Sequence, residues 1–105
     1  KNGVIKLDKS FFRKHNTFIA KRKNSTLTIK RKKYDLDIKS DSPLIALWAD
    51  GKRDQYVCAE SWWGACDYAV NPIRELCEKS YVNTLEAGKS KKYGYSVSVK
   101  AKQEI

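Results

Sequence analysis

One nearly continuous apolar run, residues 44–49 (LIALWA), restricts the folds open to this chain more than any other feature. Charged residues make up 32% of the 105 residues, so few other segments can fill an interior. A short apolar run of this kind is typical of a central strand that is buried on both faces. Asp50 and Gly51 follow immediately, and this dipeptide favours a tight turn between antiparallel strands. The sequence therefore predicts a hairpin over residues 44–59.

Further strands are predicted by the alternation of apolar and polar side chains. Residues 34–39 read YDLDIK, and residues 93–100 alternate tyrosine and valine with small or charged residues. Residues 17–21 and 26–30 have high β-propensity and flank a turn-like segment, so they predict a second hairpin. The apolar parity changes between these strands and residue 34, which predicts either a turn or a bulge at residues 30–33, and a turn is favoured. Residues 3–8 favour a short first strand, and residues 10–16 favour either a helical turn or a loop.

Residues 72–87 carry the start and stop signals of a helix. Asn71 is a suitable N-cap, Pro72 fits the first helical position, and Gly88 can adopt the left-handed conformation that ends a helix. Apolar residues recur between them at helical spacing, and Cys77 falls on this stripe as a small core residue. Residues 61–70 are interpreted as a first helical part that is kinked against the second at Pro72. Gly64 disfavours that part, and a loop packed by its tryptophans is the alternative.

Together these elements predict a single α+β domain over residues 1–105. Strands that flank one helix along the chain favour an antiparallel sheet whose apolar face is covered by that helix. We expect about five or six strands in the sheet, with the two-part helix packed on one face. A chain of this length can bury a core without disulfides or metal ions.

Positive charge is concentrated in the first part of the chain. The formal net charge is +10, and residues 1–41 carry a net charge of +9 against +1 for residues 42–105. Clustered charge raises the local potential and favours a partner with a negative surface. A polyanion, and nucleic acid above all, is therefore the predicted partner. The alternative interpretation is a solvated basic sheet face without a specific partner.

The two turns predicted at residues 21–25 and 30–33 would present this charge on loops, where cationic side chains can neutralise phosphates. The predicted nucleic-acid-binding residues are Lys21, Arg22, Lys23, Lys30, Arg31, Lys32 and Lys33. Three further lysines could extend this patch: Lys89, Lys91 and Lys92. Aromatic rings available for stacking on unpaired bases are those of Phe11, Phe12, Tyr34, Tyr93 and Tyr95. No zinc-finger pattern or RNA-binding motif accompanies the charge.

Two other functions remain open from the sequence. Trp62 and Trp63 are adjacent, so both rings are difficult to bury in one core, and an exposed indole could anchor a protein partner. That reading describes a non-enzymatic binding or inhibitor module, including an exported one. A metal-independent ribonuclease domain of a toxin would instead use His15, the only histidine, as its base. The sequence leans away from an enzyme, because it lacks paired catalytic carboxylates and phosphate-binding glycine motifs.

The three cysteines do not predict a metal site. Cys58, Cys66 and Cys77 match no common zinc spacing, and no cofactor is expected. Cys58 with Cys66 is the pair to test for a disulfide. No apolar run approaches the roughly 20 residues of a membrane-spanning helix. The chain begins with Lys1 and contains no methionine, so we expect either removal of a leader or excision from a longer precursor. The compartment stays open, with the cytoplasm slightly favoured.

Overall fold

A computed structural model describes residues 3–14, 17–21, 26–50, 56–67 and 75–103. Within these residues the strands form two antiparallel sheets of three strands each. The elements in chain order are α1 (Lys9–Lys14), β1 (Thr17–Lys21), β2 (Thr26–Lys30), β3 (Tyr34–Ser40), β4 (Leu44–Trp48), β5 (Cys58–Trp62), a 3₁₀ turn (Leu76–Glu78) and β6 (Tyr95–Ala101). Sheet A has the order β1-β4-β5 and sheet B the order β2-β3-β6.

The small α+β character and the antiparallel pairing are confirmed, whereas the single sheet and the two-part helix are not. The chain is also less compact than a typical domain of its length. Its radius of gyration is 16.5 Å, against about 13 Å for a compact domain of roughly 100 residues. None of the helices in the described residues is long and apolar enough to cross a membrane.

The apolar run forms the central strand of sheet A, as its composition predicts. All residues of β4 except Trp48 are buried. Its hairpin partner is β5, with Leu44 opposite Trp62 and Trp48 opposite Cys58. The hairpin was predicted over residues 44–59, and its second strand runs from Cys58 to Trp62, beyond that end. The register explains the shift, because β5 must reach Trp62 to pair the full length of β4.

Strand β1 pairs with β4 and not with β2, so the predicted hairpin over residues 17–30 is wrong. The register places Phe18 opposite Leu47 and Ile19 opposite Ala46. These are apolar cross-strand pairs, and they place β1 beside the buried strand β4. Non-local burial therefore overrides the local turn signal. Residues 22–25, at the tip of the predicted hairpin, lie outside the described residues.

Sheet B is built on the β2–β3 hairpin. Lys30 pairs with Asp35, and the backbone N–H of Arg31 donates to the carbonyl of Tyr34 at 3.0 Å. The turn predicted at residues 30–33 is thus confirmed. The last strand, expected at residues 93–100, forms as β6 and pairs with β3, with Val97 opposite Ile38. Residues 4–7 contain no strand, so the predicted first strand is wrong.

The chain passes from sheet B to sheet A at a corner that contains two buried serines. The backbone N–H of Ser42 donates to Ser40 Oγ at 3.1 Å, and Ser42 Oγ donates to the carbonyl of Leu44 at 2.9 Å. These bonds satisfy backbone groups that the change of direction would otherwise leave unpaired. Pro43 separates the two strands, since it has no N–H to donate to a ladder.

The core joins α1 to sheet A. Phe12 is buried against Leu47 and Ala49, and partly buried residues packed on this cluster include Phe18 and Leu27. Asp8 begins the helix, because its Oδ1 accepts the backbone N–H of Phe11 at 2.8 Å. The helical turn predicted within residues 10–16 is therefore present at residues 10–14, and residues 15 and 16 lie outside the described residues. Leu27 brings β2 of sheet B to the same core.

The helix predicted over residues 72–87 is absent from its described part, residues 75–87, which contain only a 3₁₀ turn. Tyr81 has a φ of 61°, which is incompatible with a continuing helix, and Leu76 and Leu85 are exposed. Asn83 Nδ2 donates to the carbonyls of Trp63 and Tyr81, at 2.8 and 3.4 Å. Such local side-chain bonding competes with helical hydrogen bonds.

The other helix signals have separate outcomes. Asn71 and Pro72 lie outside the described residues. Gly88 does adopt the expected positive φ, of 79°, but in an isolated turn in which the N–H of Lys89 donates to the carbonyl of Glu86. The first helical part, residues 61–70, is wrong in its described portion: residues 61–62 belong to β5, and residues 63–67 are not helical. Continued pairing of β5 with the buried β4 prevents a helix from starting there.

Asp37 lies between two donors on the polar face of sheet B. Thr28 Oγ1 donates to Asp37 Oδ1 at 2.7 Å, and Lys100 Nζ lies 3.0 Å from Asp37 Oδ2. The Thr28 hydrogen bond and then the Lys100 ammonium hold the pKa of Asp37 below its ordinary value. The hydrogen bond to Asp37 raises the pKa of Lys100 in turn.

Because of these two shifts, the stability that the Asp37–Lys100 pair contributes is lost at both low and high pH. The contribution of Asp37 is present above its unfolded pKa of about 4 and is lost as pH falls through the lower folded pKa. The contribution of Lys100 is present below its unfolded pKa of about 10.4 and is lost as pH rises through the raised folded pKa.

Replacing the hydroxyl donor, Thr28→Val, tests the larger of the two causes. We expect the pKa of Asp37 to rise toward its ordinary value, because a charged acceptor loses its nearest donor. An NMR titration of the Asp37 carboxyl carbon measures this pKa directly. Thr26→Val is the matched control on the same face of β2 and should leave it unchanged. Equal pKa values in Thr28→Val and the unmodified chain would contradict this assignment.

Candidate nucleic-acid interface

The last residue of β2 and the exposed turn that follows it, residues 30–33 (KRKK), form the densest cluster of positive charge that the structure describes. We call this segment the basic turn. The hairpin register fixes its position at one end of sheet B. The C-terminal end of β6 supports it from the side, because the N–H of Lys102 donates to the carbonyl of Lys33 at 2.9 Å. Lys102 Nζ also donates to the carbonyl of Arg31. Four cationic side chains therefore project from a backbone that is held on two sides.

A cavity of about 220 Å³ opens beside the basic turn. It lies where α1, the end of β2 and the far end of the β4–β5 hairpin meet. Cationic side chains and apolar or aromatic groups share its wall, so it can accept a flat or apolar group beside an anionic one. The lining residues are Leu7, Asp8, Lys9, Phe12, Ile29, Lys30, Arg31, Lys32, Ala49, Tyr56 and Val57.

Two acidic side chains near the basic turn are paired within sheet B. Lys102 Nζ lies 3.2 Å from Asp35 Oδ1, and Lys100 Nζ lies 3.0 Å from Asp37 Oδ2. These pairs offset the negative charge of β3 locally. The field in front of the basic turn therefore comes mainly from the turn itself.

The other predicted basic residues do not join the basic turn. Lys21 ends β1 opposite Leu44, which is the end of the sheets remote from the turn. Arg22 and Lys23 lie outside the described residues. Lys89, Lys91 and Lys92 are exposed and precede Tyr95, which pairs with Ser40 at that same remote end. Strand β3 separates the two ends by about 20 Å, given about 3.4 Å per residue.

The aromatic side chains considered for base stacking differ in their accessibility. Phe12 is buried in the core, and Phe11 packs edge-on against it with ring centroids 5.1 Å apart. Tyr93 and Tyr95 are exposed but lie toward the remote end of sheet B. Tyr34 is exposed at the base of the basic turn, and Tyr56 is exposed on the cavity wall. Tyr34 and Tyr56 are thus the rings available beside the clustered charge.

Both members of the tryptophan pair are partly buried and hydrogen-bonded within the chain. Trp62 Nε1 donates to Glu60 Oε2 at 2.7 Å, and Trp63 Nε1 donates to Asp41 Oδ1 at 3.1 Å. The Trp63 ring also contacts Tyr93, with centroids 5.1 Å apart. Trp62 ends β5 and Trp63 follows in a bend, so the two indoles make separate contacts.

Glu60 is a notable side chain that sequence reasoning missed. It lies in the middle of β5, opposite the fully buried Ala46, and its two oxygens accept from Trp62 Nε1 and from Cys58 Sγ, the latter at 3.3 Å. The period-two spacing of residues 58, 60 and 62 was the available signal, since it places them on one face of a strand. Both carboxylate oxygens of Glu60 are therefore used in hydrogen bonds to side chains of its own strand.

Burial is the first cause that raises the pKa of Cys58, followed by its hydrogen bond to Glu60 and the negative charge of that residue. We therefore expect Cys58 to react with iodoacetamide more slowly than the exposed Cys66, because the thiolate is the reactive form. Glu60→Gln should accelerate alkylation of Cys58 severalfold by removing the charge, and leave Cys66 unchanged as an internal control. Peptide mapping by mass spectrometry gives both rates. A Cys58 rate unaffected by Glu60→Gln would exclude this coupling.

The remaining predicted residues contribute no further site in the part of the chain described. Cys58, Cys66 and Cys77 are free thiols, and Cys77 is exposed, so its predicted place in the core is wrong. The cause is the absence of the helix whose apolar stripe it was to join. His15 lies outside the described residues. No cluster of three or more potential metal ligands occurs among the residues described.

Comparison of the chain with protein-family models, with curated proteins and with solved structures found no match.

Proposed function

We propose that the chain binds a polyanion, most favourably nucleic acid, through the basic turn. One observation carries the proposal: four consecutive cationic residues lie at the tip of a hairpin, directly beside a cavity. The wall of this cavity includes Lys9, the exposed aromatic Tyr56 and the partly buried Ile29. Charge on a protruding, backbone-supported turn can contact phosphates without rearranging the fold.

The size of the cavity narrows what it could accept. Typical small-molecule sites have volumes of about 300–1,000 Å³, so a cavity of about 220 Å³ suits a single nucleobase or phosphate better than a large cofactor. Tyr56 lines the cavity beside the cations, and its ring also contacts that of Trp48, with centroids 5.8 Å apart. Base–aromatic stacking contributes about 1–3 kcal/mol per base. In the proposed complex, phosphates contact residues 30–33, and a nucleobase or phosphate in the cavity lies beside Lys9.

Neutralising the basic turn tests this proposal. We expect Arg31→Ser/Lys32→Ser/Lys33→Ser to weaken binding of single- and double-stranded oligonucleotides by tenfold or more at low salt. The slope of log affinity against log salt should fall by about two units, since each phosphate contact contributes about 0.7–0.9. Fluorescence anisotropy at several salt concentrations measures both quantities.

The matched control is Lys89→Ser/Lys91→Ser/Lys92→Ser, which removes the same charge from the remote end of sheet B. Its effect on affinity and on the salt slope should be clearly smaller. Equal losses in the two triple variants would show that only net charge matters, and absence of binding by the unmodified chain at low salt would end the proposal.

Two alternatives have weaker support. A protein-binding or inhibitory module built on Trp62 and Trp63 would need an accessible indole, but both indole N–H groups are bonded within the chain. A toxin ribonuclease would depend on His15, which lies outside the described residues. No contact among the described residues favours either alternative over polyanion binding through the basic turn.

A further inference from the structure

Strand β6 is an edge strand with one open side. It pairs with β3 along its whole length, and among the described strands nothing pairs with its other edge. All seven of its residues are exposed. An edge of this length with free N–H and C=O groups is a template for pairing with another strand, and proteins usually shorten, cover or block such edges.

The side chains of β6 make this edge apolar on one face. Tyr95, Val97 and Val99 alternate along the strand and are 67%, 52% and 67% exposed. Their neighbours across the ladder continue the same face: Val97 is opposite Ile38, which is buried, and Val99 is opposite Leu36. The apolar face of sheet B thus extends into solvent at β6. Contiguous exposed apolar surface of this kind marks an interaction site.

Charge distinguishes between a second copy of the chain and a different partner. The chain carries a net charge of +10, and lysines stand at both ends of β6: Lys89, Lys91 and Lys92 before it, and Lys100 and Lys102 at its end. A strand added at the edge would lie about 4.8 Å away, well inside the screening length of about 8 Å at physiological salt. A second copy would therefore bring like charges together, whereas an acidic strand would bring opposite ones.

The polar face of β6 supports the same choice. Lys100 is paired with Asp37 on one side, yet 70% of its side chain is still exposed. Ser96 and Ser98 complete this face and offer hydroxyl groups without charge. An incoming strand with acidic residues on this face and apolar residues on the other would match both faces of β6 at once.

We propose that β6 accepts an extended acidic segment of a protein partner, which adds to sheet B as its fourth strand. The apolar residues of that segment pack beside Tyr95, Val97 and Val99, and its acidic residues lie beside Lys100. Main-chain hydrogen bonds supply affinity and the alternating side chains supply specificity, as in other cases of strand addition. The C-terminal end of β6 borders the basic turn, since Ala101 is opposite Tyr34. The proposed strand addition uses the open edge of β6, however, and does not depend on nucleic-acid binding.

A pair of peptides tests the chemistry of the partner. The probe is a peptide of about eight residues, the length of an ordinary strand, that alternates valine with glutamate; its counterpart carries lysine in place of glutamate. We expect the glutamate peptide to bind and to shift the amide NMR signals of β6. The lysine peptide should bind at least tenfold more weakly. Equal binding of the two peptides, shifts that fall outside β6, or no binding would overturn the proposal.

Val97→Thr/Val99→Thr tests the apolar face while keeping side-chain shape and β-propensity. This variant should lose at least tenfold in affinity for the glutamate peptide and keep the circular dichroism spectrum and melting transition of the unmodified chain. Val4→Thr, at an exposed valine outside the sheets, is the control and should bind normally. Sedimentation equilibrium of the chain alone tests whether a second copy pairs with β6 instead. A dimer that is lost in Val97→Thr/Val99→Thr would show that the partner is a second copy and would overturn the proposal of an acidic segment.

Discussion

Leu47→Ala is expected to lower the free energy of unfolding by about 2–5 kcal/mol, because it removes a large side chain from the best-packed part of the molecule. Leu47 is 5% exposed on the central strand and contacts the Phe12 cluster. The neighbouring side chains are held by two strands and a helix, so they can close the resulting cavity only partly. Urea denaturation followed by circular dichroism measures the change. A loss well below 1 kcal/mol would contradict the assignment of this cluster as the core.

The same substitution at an exposed leucine provides a matched control. Leu85 is 56% exposed, and Leu85→Ala should change stability by less than about 0.5 kcal/mol, as surface substitutions usually do. The comparison also tests the absence of the 72–87 helix. In a helix packed on a sheet, Leu85 would belong to the buried stripe, and its truncation would cost about as much as that of Leu47.

Phe12→Ala should have an effect of similar or larger size, about 3–5 kcal/mol. Phe12 is the buried residue of α1, a helix of six residues. A helix this short does not persist without tertiary packing, so losing the Phe12 ring should release α1 as well as create a cavity. Hydrogen exchange of the α1 amides, measured by NMR, should become fast at a denaturant concentration where sheet A stays protected.

Lys14→Ala is the control for this prediction. Lys14 is exposed on the same helix, and its replacement should leave both stability and amide exchange nearly unchanged. If Phe12→Ala destabilises the whole chain without selective exchange of α1, the helix is an integral part of the core. If exchange is fast in the unmodified chain too, the docking of α1 through Phe12 is wrong.

Local patterns in the sequence predicted individual strands well. The alternation in residues 34–39 and the apolar run in residues 44–49 became β3 and β4, because burial on one or both faces leaves a direct mark on composition. The pairing of β1 with β4 could not be read in this way. It depends on apolar contacts between segments far apart in the chain, whereas the turn-like residues between β1 and β2 are a purely local signal.

The helix prediction failed because capping signals are also local. Pro72 and Gly88 mark a possible start and end, but they do not show that a sheet face is available to cover the stripe between them. Asn83 instead bonds to Trp63 and accepts from the Tyr93 hydroxyl at 2.9 Å. Those partners lie 20 and 10 residues away in sequence, so no window of helical length contains them both.

The positive charge of the candidate site could be predicted from the sequence, whereas the cavity beside it could not. Consecutive cations at residues 30–33 are visible in the sequence, and the parity change around them correctly predicted a turn. The cavity beside them requires α1 and the β4–β5 hairpin to meet there, which no local pattern specifies. Glu60 was missed for the same reason, since a glutamate in a strand is unremarkable until its donors, Cys58 and Trp62, are seen to converge on it.

The insertion of the β2–β3 hairpin between β1 and β4 has a consequence for the order of folding. Strand pairing of β1 with β4 requires closing the chain from Lys21 to Leu44, and the entropy cost of closure grows with the length of free chain. The β2–β3 hairpin needs only a short turn and can form first. Once formed, it brings Thr26 and Lys39 together and shortens the free chain between β1 and β4 to the two connections that flank the hairpin. Sheet B would then act as the template on which sheet A assembles.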